Sequence, residues 1–231
     1  MAGDGVARWN VTVSEAVALQ RELRDRLVLH PPPGFAPRFV AGADISLDRD
    51  DPRGYAGIAV IDRETMETVD EATATAAIGF PYVPGLLSFR ELPLVEPAWA
   101  RLRVRPDVLV FDGQGYAHPR RFGLACHGGV LFGVPSVGCA KTLLVGTHEP
   151  LGEERGARAE LVDRGEVVGM AIRLRAKTKP VYVSPGHLMD VATAVEVVLA
   201  VSAGYREPET TRRAHRLVNR LRLAARAGGA G

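Results

Sequence analysis

The sequence predicts an α/β fold: a mixed sheet, an antiparallel meander continued by parallel strands, flanked by helices on both faces within one domain spanning residues 1–231. Three observations predict it. Three strand-like stretches follow one another through short connections, which antiparallel neighbours allow and parallel ones do not. A fully apolar run, Val108 to Phe111, leads into a segment of helical spacing and then another short strand, the order that builds a parallel pair. Two helical stretches close the chain, which gives the sheet helices on both faces.

Taken in order, Thr12 to Leu29 reads as an amphipathic helix opened by a capping box of Thr12 and Glu15, with Ala16, Leu19, Leu23 and Leu27 on one face. Pro31-Pro32-Pro33-Gly34 follows it. The strands are Arg38 to Leu47, Tyr55 to Asp62 and Thr68 to Ala77, the first two joined by the turn-rich Asp50-Asp51-Pro52-Arg53-Gly54. Leu86 to Arg103 has helical spacing, but Pro93 and Pro97 predict breaks in it. Gly123 to Phe132 is helical and Pro135 to Ala140 a strand. Leu143 to Arg164, polar and glycine-containing, is expected to be a mobile flap. Strands at Val167 to Leu174 and Pro180 to Val183 precede helices at Asp190 to Ser202 and Thr210 to Arg226. The closing Gly228-Gly229-Ala230-Gly231 is expected to be disordered.

The formal net charge of +2 is too small to identify a nucleic-acid binder, but the charge is uneven: residues 206–226 carry seven arginines against two glutamates. Cys126 and Cys139 form no CxxC and read as core residues. With no disulfide framework, signal peptide or spanning apolar run, a reduced, cytoplasmic protein without membrane attachment is expected, and a monomer. Of the 29 Lys and Arg residues only Lys141, Lys177 and Lys179 are lysine, so those positions call for a compact ammonium.

Three carboxylates stand out: Asp44 in FVAGADIS, Glu91 in FRELP and Asp112 in VLVFDGQG. An ionised aspartate in strand-like sequence is costly to desolvate unless a cation or donors face it. If the first and fourth strands are parallel neighbours, Asp44 and Asp112 meet at the sheet and Glu91 covers them from one side. Singly each has a plain reading: Asp44 as a bulge or edge position, Glu91 as a solvated helix glutamate and Asp112 as a turn aspartate capping its own loop. Together they suit oxygen ligation of Mg²⁺, with Mn²⁺ able to substitute. Gly113 and Gly115 let the chain turn sharply after Asp112; GQGYAH lacks the third glycine of a dinucleotide fingerprint.

Phe80-Pro81-Tyr82-Val83-Pro84-Gly85 is stiffened by two prolines, and its Tyr82 and Val83 either wedge between bases or pack on the core. His118, His127, His148, His187 and His215 show no zinc spacing. His215 borders the apolar face Ala214, Leu217, Leu221 and Ala225 among arginines, as a packed polar residue or as a proton shuttle near a metal. No serine elbow, phosphate loop GxxxxGK[ST] or HExxH occurs.

The segments GADIS (Gly42 to Ser46), PYVPG with FRELP (Pro81 to Pro93), VLVFDGQGYAHPRRFGLACHGG (Val108 to Gly129), GCAK (Gly138 to Lys141) and KPVYVSPGH (Lys179 to His187) together resemble endonuclease V, in order and spacing, over about Val13 to Arg222. The resemblance implies an RNase H-like fold and Mg²⁺-dependent cleavage of deaminated DNA, chiefly at hypoxanthine, with inosine-containing RNA as the other candidate substrate. It implies metal carboxylates at Asp44, Glu91 and Asp112, a lysine near the scissile phosphate at Lys141, an active-site histidine at His215 and a wedge at Pro81, Tyr82, Val83 and Pro84. Further nucleic-acid contacts are expected at Gly85 and His118, and a base pocket from backbone groups near Leu86, Gly113 and Gly115. Phe111 and Gln114 depart from the family's usual residues, at positions not expected to bind metal. Another RNase H-like nuclease and a non-catalytic nucleic-acid-binding module are the alternatives.

Overall fold

The computed structural model of the chain describes residues 8–47 and 52–228. Its elements run α1 (Val13–Arg24), β1 (Phe39–Leu47), β2 (Arg53–Asp62), β3 (Thr68–Ala77), α2 (Leu87–Arg101), β4 (Val108–Phe111), α3 (Leu124–Phe132), β5 (Ser136–Ala140), β6 (Arg158–Asp163), β7 (Glu166–Ile172), β8 (Val181–Pro185), α4 (Val191–Ala200) and α5 (Glu209–Gly228). One eight-stranded sheet takes the order β3-β2-β1-β4-β5-β8-β7-β6. β1, β4 and β5 are parallel neighbours, and the other pairings are antiparallel.

Side chains alternate across the sheet, so successive strand residues feed two cores. Ala41, Ala43, Ile58, Val60, Leu109 and Phe111 pack under α1, α2 and α3. Val40, Ile61, Val108, Val110 and Val137 pack under α4 on the opposite face. There α5 lies so close to β1 that a Cβ at Gly42 would come within 2.2 Å of the Thr210 backbone. Only glycine fits that crossing, and it is two residues from Asp44 on the same face.

Four expectations are corrected. Pro93 and Pro97 lie inside a continuous α2. An interior proline costs about 3 kcal/mol, but α2 fully buries Phe89, Leu92 and Leu94, at about 1.5–3 kcal/mol each, while both prolines sit on its less buried side. α1 ends at Arg24, well before the prolines, because the next amides bond three residues back, Arg26 N to Leu23 O and Leu27 N to Arg24 O at 3.0 Å each. Part of the expected flap is a strand: β6 closes the sheet edge, polar because one face is open to solvent, with Leu161 buried against Ala117 and Val168. The expected turn after β1 is shorter at its far end, since Arg53 and Gly54 already belong to β2.

Asp50 and Asp51 of that turn lie outside the described residues, as do residues 229–231; Gly228 is the last residue of α5. Cys126 and Cys139 are buried free thiols. Burial pushes Cys126 up to about 12 and raises Cys139 further. Among the described residues no helix is long and apolar enough to cross a membrane.

Candidate active site

The parallel pairing of β1 with β4 sets Ala43 beside Phe111, so the next residues, Asp44 still within β1 and Asp112 just past the end of β4, come side by side. Glu91 enters from the first turns of α2, and Lys141 from the end of β5. All four line one cleft of about 450 Å³, together with Tyr82, Val83, Pro84, Gly85, Gly113 and His118. His215 reaches Asp44 from α5 across the Gly42 crossing: its Nδ1 lies 2.8 Å from Asp44 Oδ2. Asn219, one turn on, donates from Nδ2 to His215 Nε2 at 2.9 Å, which leaves Nδ1–H as the donor to Asp44.

The carboxylates are held in electrostatic opposition. Desolvation, with the charge of Asp112 adding to it, raises Asp44 to about 6, although the hydrogen bond from His215 pulls the other way. Desolvation raises Glu91 to about 8, with Asp44 and Asp112 contributing. No donor bonds Glu91 among the described residues. Lys141 Nζ sits 2.6 Å from Asp112 Oδ2 and 3.1 Å from Glu207 Oε2. Burial works against the ammonium, but the hydrogen bonds and charges of those two carboxylates outweigh it and hold the group above the usual lysine range.

As the side chains stand, no three His, Cys, Asp or Glu among the described residues are grouped closely enough to hold an ion. Lys141 takes the place of a cation on Asp112. The donor set nonetheless fits a hard divalent cation: three carboxylates on one cleft, two of them raised by burial and mutual repulsion, which a positive charge would reverse.

The stiff loop lines the same cleft. Pro81, Tyr82 and Pro84 are exposed, Tyr82 to 69%, and Val83 is half-buried. Gly85, at φ 78°, turns the chain inward, and its carbonyl accepts three hydrogen bonds: Gln20 Nε2 at 3.0 Å, His118 Nε2 at 2.9 Å and Arg120 Nη2 at 2.7 Å. Arg120 Nε also donates to Gln20 Oε1. His118 is buried, its Nδ1 accepts from Arg120 N, and desolvation followed by the charge of Arg120 lowers it to about 4. It is therefore a neutral pin at the base of the loop.

The backbone donors expected in a base pocket are used within the fold. Leu86 N donates to Val83 O at 2.9 Å, Gly113 N to Phe111 O at 2.9 Å, and Gly115 N to Ser184 Oγ at 2.8 Å. Leu86 and Gly115 are also buried, and a Cβ at Gly115 would meet Pro185 O at 2.2 Å. Of the three residues, Gly113 lines the cleft.

Sequence reasoning missed Gln20, Arg120, Glu207 and Asn219. Gln20 is 1% exposed on an otherwise amphipathic helix, and a buried amide on an apolar face is the one signal that could have singled it out.

The endonuclease V family profile matches residues 21–216. An endonuclease V of Myxococcus xanthus (strain DK1622) is 66% identical over 219 residues, 95% of this chain and 93% of the relative. Among solved structures, endonuclease V of Streptomyces avermitilis aligns with a TM-score of 0.87 at 45% identity, covering 95% of this chain and 96% of the other. The catalytic domain of human endonuclease V aligns with a TM-score of 0.86 at 31% identity, covering 94% and 97%. The mixed sheet is accordingly RNase H-like.

Proposed function

Because the chain belongs to the endonuclease V family, we propose that it is a Mg²⁺-dependent DNA repair endonuclease of the reducing cytoplasm. It recognises a deaminated base, chiefly hypoxanthine, and cleaves the second phosphodiester bond 3′ to it, leaving 3′-hydroxyl and 5′-phosphate ends. The observation that carries this reading is the convergence of Asp44, Glu91, Asp112 and Lys141 in one cleft beside the exposed tip at Tyr82.

Recognition comes first. A base must leave the stack before its edge can be read. Tyr82 and its flanking prolines fill the gap the base leaves, and the anchor at Gly85 keeps the tip from yielding to the restacking duplex. The flipped nucleotide enters the cleft, where its 3′ phosphates pass the carboxylates.

Asp44, Asp112 and Glu91 would hold the Mg²⁺, or Mn²⁺ in its place; the ion supplies positive charge against the phosphate oxygens and lowers the pKa of the attacking water. Lys141 stabilises the negative charge that develops on the non-bridging phosphoryl oxygens as water attacks phosphorus. His215 orients Asp44 through Nδ1–H, and Asn219 fixes the ring so that this hydrogen is not rotated away.

The test is a denaturing gel of end-labelled oligonucleotides, single- and double-stranded, DNA and RNA, each with one inosine, in Mg²⁺ or EDTA. A single Mg²⁺-dependent cut one nucleotide beyond the inosine's own 3′ phosphate, absent in Asp44→Ala, is the expected result. Preference for the RNA strand would make the chain an inosine-specific ribonuclease. Cutting of unmodified RNA/DNA hybrids with no response to inosine would overturn the lesion specificity.

A further inference from the structure

The ammonium of Lys141 has two carboxylates within reach, and only Asp112 belongs to the three that would hold metal. Glu207 is delivered by the connection between α4 and α5, and that connection is fastened down. Arg206 Nη2 donates to the Lys141 carbonyl at 2.8 Å, and Arg206 Nε donates to Lys179 O at 3.2 Å. Two residues past Glu207, the buried Glu209 pairs with Arg212 and Arg213 and secures the first turn of α5. Glu207 is therefore brought to the cleft rim by the backbone on both sides of it. Its own side chain is about one quarter exposed, at 26%.

An ion arriving at Asp112 meets a cation already in contact with that carboxylate, and two positive charges on one oxygen pair repel. A lysine with Asp112 as its sole partner would have to be expelled from the cleft, or the ion refused. With Glu207 beside it the ammonium keeps a counter-charge while it gives up Asp112. We propose that Glu207 is a positioning residue that takes over Lys141 when a divalent cation occupies Asp112, so that ion and ammonium are present in the cleft together. The inference rests on the metal-dependent reading above and adds a function for a residue outside the metal set.

The test is Mn²⁺ binding to the full chain, followed by the electron paramagnetic resonance signal of the free ion, for the parent protein, Glu207→Gln, Lys141→Met and the double variant. The expected result is a loss of about three- to tenfold in Mn²⁺ affinity for Glu207→Gln, shrinking to less than about twofold when Lys141 is already methionine. Glu207→Ala should repeat the loss, and thermal melts of all variants report that each is folded. Unchanged Mn²⁺ affinity in both folded Glu207 variants overturns the proposal. So does an equal loss with and without Lys141, because Glu207 would then act on the ion by its own charge. If the parent binds no Mn²⁺ that Asp112→Asn removes, the metal-dependent reading itself fails and takes this proposal with it.

Discussion

The two walls of the cleft are built on opposite principles. On the wall of the stiff loop the anchor is closed: one carbonyl, Gly85 O, collects donors from Gln20, His118 and Arg120, and Leu86 N turns back to Val83 O. On the carboxylate wall Glu91 has no donor among the described residues, and burial, with the charge of Asp112 adding to it, makes both Asp44 and Glu91 costly to ionise. Under the proposed function the first wall would present one fixed shape to nucleic acid, and its geometry is settled without a ligand. Under the same reading the second would take a positive charge from outside, and the local cost of its carboxylates would be recovered when that charge is bound.

The contrast is broken most severely at the open wall. Asp112→Asn keeps the size of the side chain and removes its charge, and single-turnover cleavage of inosine DNA should fall by about 10³-fold or more. Its circular dichroism and melting should stay close to those of the parent. Retained Mg²⁺-dependent turnover would take Asp112 out of the site.

At the closed wall the damage should be to recognition. Tyr82→Ala removes an aromatic contact of the kind that contributes about 1–3 kcal/mol per base, so lesion binding in Ca²⁺ should weaken about tenfold while the single-turnover rate at saturation changes less. Equal affinity for parent and variant in a gel-shift titration would end the wedge assignment.

The opposition among carboxylates also predicts a pH signature. A carboxyl whose folded value lies above its unfolded one binds its proton more tightly in the fold. The metal-free protein therefore loses stability as pH rises from the ordinary carboxylate range through about 6 for Asp44 and about 8 for Glu91. Mg²⁺ at about ten times its Kd should raise the melting temperature by roughly 3–6 °C at pH 8.5 and by little at pH 5. A shift independent of pH would mean the ion binds elsewhere.

The smallest effect sharpens the comparison. Gln20→Leu deletes one of three donors to Gly85 O and also unpairs Phe122 O and Arg120 Nε, so it should cost about 1–3 kcal/mol of stability and weaken lesion binding only about twofold. Cleavage of a bound substrate should be unaffected. A loss as large as that of Tyr82→Ala would show that the anchor yields as one unit.

What the sequence made legible follows from the range of the interactions involved. The capping box at Thr12 and Glu15, the meander and the apolar run of β4 are local patterns, and the structure carries them at or near the expected residues. Asp44 and Asp112 were conspicuous because each interrupts strand-like sequence. The continuous α2 was hidden because the burial that offsets Pro93 and Pro97 lies in the sheet beneath. β6 was hidden because an edge strand with one open face has the composition of a loop. Glu207 and Arg120 look like ordinary solvated charges until residues 66 and 35 positions away, Lys141 and Gly85, are brought beside them.

The two thiols have a practical consequence. Cys126 and Cys139 are buried, and burial holds both far from the thiolate form, so an alkylating dye at neutral pH finds little to react with in the native fold. A cysteine introduced at the exposed Tyr82 position would therefore take a maleimide fluorophore selectively without removing either natural thiol. The tip of the loop could then report the arrival of each nucleic-acid molecule in real time.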